Sequence, residues 1–450
     1  MTILSELSCA DCWERFSEYR ERLPVQRPKA SALARTIEEK SYIPVVRRIR
    51  ENKPFPLPRR AVISKMASQK KRVVYIYPEP ENTVLKLLTY LLLRKYDGLF
   101  SDGLYSFRPG RTAQDAVRRL RSTPGVERMW AYKVDISNYF NSVPVDRFLP
   151  RLKDALADDP ELYSFLAGLL LEPRVIEESG RVELGAEDAL RTGGERRLIT
   201  EQKGIMAGTP LSAFYANLYL KDLDKRFAEL GAPYARYSDD IIVFAETEAE
   251  VRRLAEEIRS FLAEEGLSVN PAKENFYAPG DGWTFLGFCY KDGVTDIAPA
   301  TVAKLKAKMR RKARALARWQ DRKGVSGEKA ALAFIRKFNN KLLGPGWDKP
   351  ARAESGAGQD CAVPEHSGAE ELPGEHELNW SRWFFPLINT TESLQLIDSY
   401  AQDQLRFLIS GKRTKSRFNV RYEDLKALGY RSLVNEYYKN RHQGDGSSDA

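Results

Sequence analysis

Apolar residues along the chain follow two rhythms. Residues 73–77, 131–136, 241–245 and 283–290 are short β-type runs, each the length of one strand. Between them apolar positions recur at helical spacing. Residues 1–50 are helical and charged, and residues 83–96 form a strongly apolar helix expected in the core. Helices are also expected over 112–121, 146–157, 211–220, 247–265 and 301–323. Pro150 in the second of these is tolerable only near a first turn. Residues 51–60 hold three prolines and form a connector. Gly-containing residues 182–200 suggest a hairpin or insertion, and Asp292-Gly293 a hairpin turn into 294–297. Residues 344–377 show no periodicity and are expected to be a mobile linker. Folded patterning returns over 379–440, with helices near 392–410 and 425–439, and a frayed tail follows from 443. The mixture predicts an α+β protein.

One apolar run is interrupted by charge. Residues 234–245 read Y-A-R-Y-S-D-D-I-I-V-F-A, two short strands with Asp239 and Asp240 at the turn between them. Adjacent carboxylates there are unfavourable to bury without a divalent cation or water around them. An ordinary acidic hairpin turn fits these residues alone equally well. A second acid, Asp135, stands near the end of the strand 131–136, with Lys133 on the same face by two-residue alternation. The loop 204–209 (G-I-M-A-G-T) precedes a helix whose small residues Ser212, Ala213 and Ala216 allow close approach or plain helix–sheet packing. An acid ending a strand, a Gly-flanked loop opening a helix, and a two-acid hairpin together suit phosphoryl transfer by two Mg²⁺ ions about 4 Å apart. Asp135, Asp239 and Asp240 are the candidate ligands, with the backbone carbonyl of Ile136 as a further oxygen.

Charge adds a partner. The 450 residues carry a net charge of +10, which suits a polyanion. Residues 301–323 hold ten cations against Asp321 alone, on a helix whose apolar stripe is Leu305, Met309, Ala313 and Leu316. Such density favours nucleic acid, with Lys308, Arg311 and Lys312 as candidate contacts. The turn 106–111 (S-F-R-P-G-R) before a helix offers Arg108 and Arg111 to phosphate or nucleic acid. The cluster Lys70-Lys71-Arg72 running into a strand suits a triphosphate or a solvated turn. Four cysteines exclude a disulfide framework, and Cys9-x-x-Cys12 lacks the further ligands a zinc site needs. No apolar run reaches membrane-spanning length, and Glu6, Asp11 and Glu14 break up any signal-peptide core, so a cytoplasmic protein without a membrane partner is expected.

These motifs, in this order over residues 65–290, resemble those of reverse transcriptases. Y-S-D-D resembles their Y-x-D-D box, K-V-D-I-S-N-Y-F-N-S-V their first catalytic motif, and residues 204–224 their G-x-x-Q-G-x-P helix motif. S-F-R-P-G-R resembles a fingers segment of the bacterial enzymes, and residues 269–273 and 283–288 resemble late palm motifs and the primer grip. The resemblance implies a right-hand polymerase with an antiparallel palm sheet and a helical basic thumb. It divides the chain into N-terminal helices and fingers (1–130), palm (131–297, with a finger insertion at about 158–203), thumb helices (298–343), linker (344–377), a helical thumb extension (378–442) and a tail (443–450).

It further implies that Asp135, Asp239 and Asp240 bind metal and that Phe140 is an aromatic gate excluding a 2′-hydroxyl. Arg72 and Lys71 would contact the triphosphate, Lys273 the leaving phosphate, and Gly208 would let the backbone approach the nucleotide. Ala207 departs from the family pattern, which has glutamine there. No V-T-G signature of retron enzymes is present, because Asp296 follows Val294-Thr295. Residues 427–434 and 437–439 resemble the tail of the bacterial unknown-group enzymes, many of which act in antiphage defence.

The implied activity is RNA-directed DNA synthesis from dNTPs with two Mg²⁺ ions, Mn²⁺ being able to substitute. The implied template is a dedicated, structured non-coding RNA, the product is DNA, and an oligomer is compatible. The alternatives are a maturase-like RNA-binding scaffold, a retron or group II intron-type enzyme outside defence, and an RNA-templated RNA polymerase.

Overall fold

The β-type runs do become strands, and the acidic stretches fall at their ends. The structure, a computed structural model, describes residues 2–22, 27–64, 71–178, 196–344 and 379–445. From residue 345 the expected linker lies outside the described residues, as does most of the expected insertion loop, 179–195. Eleven strands occur among the described residues: β1 (Arg59–Ser64), β2 (Lys71–Ile76), β3 (Trp130–Asp135), β4 (Arg174–Glu178), β5 (Arg196–Thr200), β6 (Tyr234–Tyr237), β7 (Asp240–Ala245), β8 (Asn275–Tyr277), β9 (Trp283–Phe285), β10 (Phe288–Lys291) and β11 (Val294–Ile297). Two compact units result, one up to Pro279 and the other from Gly280.

The first unit is built on the sheet β6-β7-β3-β8, antiparallel throughout. Ile241, Ile242, Val243, Phe244 and Ala245 are all buried, so β7 is covered on both faces. This explains why its sequence is continuously apolar rather than alternating. The helix Glu248–Glu264 packs on β3 and β7 through Val251, Leu254, Ala255, Ile258 and Leu262. Thr247 caps it, its hydroxyl accepting from the Glu250 N–H at 3.2 Å. The helix Ser212–Tyr219 is buried on every side and packs against the helices Glu81–Lys95 and Val145–Ala155. In the last of these, Pro150 is the sixth residue, further in than its sequence suggests. Its ring is exposed, and Phe148 and Leu152, both fully buried, hold the helix in place.

A second sheet of this unit has the order β2-β1-β4-β5, with β1 parallel to β4 and the other pairs antiparallel. In the other unit, β9, β10 and β11 form an antiparallel meander. The run 283–290, which reads as one strand, is two, because Leu286 and Gly287 take φ of +49° and +85°. Two left-handed residues in succession make a tight hairpin turn, and Leu-Gly lacks the Asn or Asp that normally announces one. Asp292 and Gly293, at φ +48° and +81°, make the turn their sequence predicts.

The helix Pro299–Lys323 buries Leu305, Met309, Ala313 and Leu316 against the helices Gly327–Leu342 and Glu392–Ser410. The expected helix over 425–439 is broken into Tyr422–Ala427 and Leu433–Asp445, with Gly429 at φ +90° between them. Asp398, from the preceding helix, accepts from the N–H groups of Leu433 and Val434 at 2.9 and 3.1 Å. It also accepts from the hydroxyls of Tyr430 and Ser432 at 2.9 and 2.6 Å. A cap donated from so far back along the chain leaves no local signal. No helix among the described residues is long and apolar enough to cross a membrane.

Candidate active site

β3 and β7 run side by side in a register that opposes Asp135 to Asp240. Residues directly opposite in such a pair have Cβ atoms about 5 Å apart. Asp239 occupies the turn just before β7, and its carbonyl accepts the Ile136 N–H at 3.0 Å. Three acids separated by a hundred residues thus meet at one end of the sheet. Asp135 is buried, while Asp239 and Asp240 are crowded by protein on most sides yet still reached by solvent. Burial, then the charges of Asp240 and Asp135, push the Asp239 carboxyl up to about 7. Asp240 is also raised, chiefly by burial, against the lowering pull of Lys133.

Two ammonium groups answer this charge. Lys273 donates to Asp135, and the Lys133 Nζ lies 3.6 Å from Asp240. When all three are ionised, three carboxylates against two lysines leave a negative balance. Among the described residues no three His, Cys, Asp or Glu side chains form a ready-made metal cage. The donor set nevertheless fits Mg²⁺: hard carboxylate oxygens and a repulsion between them that a divalent cation relieves.

The acidic turn is held by polar residues that sequence reasoning did not single out. Ser238 takes φ +59°, a strained value for a residue with a Cβ. Its N–H donates to the Ser106 hydroxyl at 2.9 Å, and its carbonyl accepts from Arg236 at 3.3 Å. Ser106 in turn donates to the Asn217 side chain, and Asn217 donates back to the Ser106 carbonyl at 2.8 Å. Arg236 and Asp224 form an ion pair with neither side chain exposed, and the Tyr234 hydroxyl adds a bond to Asp224 at 2.9 Å. The signal was present: Arg236 and Asn217 are polar residues inside apolar runs, and a buried polar group requires partners. Asn270 does the same for Asp135, donating its backbone N–H to the Asp135 carbonyl at 2.8 Å.

The loop 204–209 lies against β2 and the stretch after β3. The Tyr75 N–H donates to the Ala207 carbonyl at 2.7 Å, and the Asn141 side chain bridges Val73 and Ala207. Gly204 has φ +54°, and a Cβ there would lie 2.4 Å from the Phe140 carbonyl. Gly208 has φ +94°, with a notional Cβ 2.9 Å from the Val74 side chain. Neither position has room for a side chain, so the loop is pressed onto its neighbours. Phe140 is 6% exposed, its ring tucked beside Tyr139. Arg72 is half-buried on β2; Lys71 opens that strand, and its side chain lies outside the described residues.

Arg108 requires a correction. Its side chain is 4% exposed, and it donates to both Asp97 carboxylate oxygens at 2.8 and 3.0 Å and to the Ser101 carbonyl at 2.7 Å. Those donors are engaged inside the protein, so Arg108 braces the loop before its helix and does not face nucleic acid. Arg111 is tied to Asp102 and its carbonyl in the same loop. In the other unit, Arg311 is exposed, while Lys308 and Lys312 are half-buried along the basic helix.

Lys203, just before the loop, is 3% exposed and donates to the Leu169 carbonyl at 3.3 Å. Burial lowers its ammonium to about 8 from 10.5. The folded protein therefore releases this proton more readily than the unfolded chain, and the group opposes folding below about pH 8. Lys203→Met is expected to stabilise the protein by about 1–3 kcal/mol at pH 7. The gain should shrink as pH rises from 8 toward 10.5, read as the urea midpoint against pH.

An antiparallel sheet covered by helices, with carboxylates gathered where β3 ends and β7 begins, has the arrangement of a right-hand polymerase palm. Known proteins narrow that class. The family model described as reverse transcriptase (RNA-dependent DNA polymerase) matches residues 63–290. The group II intron-encoded protein LtrA of Lactococcus lactis subsp. cremoris is 24% identical over 231 residues, 50% of this chain and 35% of that protein. An uncharacterized 91 kDa protein in the cob intron of Schizosaccharomyces pombe is 26% identical over 179 residues, 39% of this chain and 20% of that one. Among solved structures, apo telomerase from Candida tropicalis, truncated from its C-terminal domain, aligns with a TM-score of 0.42 at 11% identity, covering 54% of this chain and 55% of that one. The chain belongs to the reverse transcriptase family. It spans about a third of the length of LtrA.

Proposed function

We propose that the protein is an RNA-directed DNA polymerase that extends a primer 3′-end with dNTPs. The observation that carries this reading is the β3–β7 register, which opposes Asp135 to Asp240 with Asp239 in the adjoining turn. Asp135, Asp239 and Asp240, with the Ile136 carbonyl, would hold two Mg²⁺ ions, or Mn²⁺ in their place. Such ions, when bound, lower the pKa of the attacking hydroxyl and stabilise the charge on the leaving pyrophosphate. The remaining roles belong to the chain itself. Arg72 and Lys71 bind the triphosphate. Gly208 brings loop backbone close to the nucleotide, and Phe140 bars a 2′-hydroxyl. Lys273, which donates to Asp135, turns to the departing phosphate. Lys308, Arg311 and Lys312 contact the nucleic acid.

RNA template, DNA product and dNTPs follow as partners, in a cytoplasmic setting. The resemblance of residues 427–434 and 437–439 to unknown-group enzymes supports a dedicated structured RNA and a role in antiphage defence. The group II intron-encoded relative equally suits an enzyme outside defence.

Primer extension on an RNA template, with dNTPs or NTPs and Mg²⁺, tests the reading. Wild type is expected to incorporate dNTPs and reject NTPs. Phe140→Ala should lower that discrimination roughly tenfold or more. Incorporation of NTPs by wild type, with a ratio that Phe140→Ala leaves unchanged, would favour an RNA-templated RNA polymerase. Salt-dependent RNA binding without any incorporation would favour a maturase-like scaffold, which the basic helix Pro299–Lys323 would serve as well.

A further inference from the structure

The turn after the helix Glu392–Ser410 carries a surface with no part in the chemistry above. From Arg406 to Arg421 the chain has six cations and no acid. Phe418 lies among them and is 53% exposed. The guanidinium carbons of Arg406 and Arg417 stand 5.4 and 4.5 Å from its ring centre, and that of Arg413 lies 3.9 Å over Phe407.

The turn is built before any ligand arrives. Gly411, at φ +66°, ends the helix, and the Ser410 hydroxyl accepts the Lys412 N–H at 3.2 Å. Arg417 donates to Asp403 at 2.7 Å and to the carbonyls of Arg413 and Thr414 at 2.8 and 3.1 Å. Arg406 donates to the Val420 carbonyl at 3.0 Å. These bonds fix the turn and the two guanidinium groups beside the ring, so little order has to be imposed on them on binding. Lys412, Lys415 and Arg421 are exposed and carry no ion pair among the described residues. The basic surface continues in the same unit. Gln320 donates to the Leu408 carbonyl at 3.0 Å, which brings the end of Pro299–Lys323, with Arg318, Arg322 and Lys323 exposed, against this turn.

An exposed ring with two guanidinium groups beside it and further cations around it matches a nucleotide, which has a base to stack and a phosphate to neutralise. We propose that residues 411–421 bind an unpaired stretch of RNA, with a base on Phe418 and neighbouring phosphates on Lys412, Lys415 and Arg421. The choice of RNA rests on the polymerase reading. New DNA emerges paired with its template, so the bases free to stack belong to template not yet copied. A duplex hides its base faces and fits poorly.

The test is fluorescence anisotropy of the full chain with a labelled, unstructured RNA of about 15 nucleotides, the matching duplex and single-stranded DNA. Phe418→Ala should weaken binding of the unpaired RNA roughly tenfold and leave duplex binding unchanged, while Phe418→Trp should bind as wild type. The triple variant Lys412→Ser, Lys415→Ser, Arg421→Ser should flatten the log–log salt dependence by about 2. Equal binding by Phe418→Ala and wild type would overturn the proposal, as would equal affinity for the single-stranded DNA. Primer extension run alongside separates the two readings. Incorporation with binding indifferent to Phe418 removes this site alone. Phe418-dependent RNA binding without incorporation removes the polymerase reading and leaves the site.

Discussion

Replacing Asp239 and Asp240 together by Ala is expected to abolish nucleotide incorporation, a loss of at least about a thousandfold, while RNA binding stays intact. Equal primer extension by the variant and wild type would remove the carboxylates from the chemistry. The same site predicts an effect of opposite sign on stability. The Asp239 carboxyl, raised from 3.8 to about 7, holds a proton in the folded protein that the unfolded chain has released. Folded protein therefore loses stability as pH rises through that window, and regains it as pH falls. Asp239→Asn carries no such charge. Without divalent cations it should match wild type near pH 4 and exceed it near pH 7 by roughly 1 kcal/mol, the range seen when a strained functional site is relieved. Because Asp239 is reached by solvent, a larger gain is not expected. Added Mg²⁺ should raise the melting temperature of wild type more than that of Asp239→Asn. Melting curves with chelator and with Mg²⁺, at three pH values, check both statements.

The second large effect is at the ion pair beneath the turn. Asp224→Ala would leave the Arg236 guanidinium, with no exposed surface, facing no carboxylate. Breaking such a pair from one side costs about 3–5 kcal/mol, a large part of the 5–15 kcal/mol that holds a typical domain together. The double variant Asp224→Leu, Arg236→Met puts an apolar pair of similar volume in the same space and should recover most of that stability. Activity is expected to stay low in the double variant, because the Arg236 bond to the Ser238 carbonyl is gone and Ser238, in the turn carrying Asp239, keeps only its bond to Ser106 among the described residues. Urea midpoints and primer extension, measured on the same preparations, separate the two roles. Full activity in the double variant would reduce Arg236 to a packing residue.

Much of the site was legible along the chain because its parts are local. A carboxylate pair interrupting a β-run stands out wherever it falls, as Asp239 and Asp240 do. A glycine-flanked loop before an apolar helix is equally visible at residues 204–220. Less visible were groups whose meaning depends on what they face. Arg108 sits in a turn that suits phosphate by composition, yet Asp97 claims it. Leu286-Gly287 bends a strand without the Asn or Asp that usually precedes such a glycine, and Asp398 caps a helix of another segment. In each case the deciding partner is remote in sequence, and periodicity reports only on near neighbours.

The sequence by itself determined the alternation of strands and helices, the basic helix, and which acids could carry metal chemistry, since these depend on residue type and spacing over one turn or one strand. Only the tertiary structure decided that Asp135 faces Asp240, that Lys273 and Lys133 answer their charge, and that Ser106, Asn217, Asp224 and Arg236 hold the turn between two strands. Pairing of β3 with β7 joins segments a hundred residues apart, and because β7 is apolar on both faces its own pattern cannot set the register, which belongs to the packed sheet and to neither strand alone.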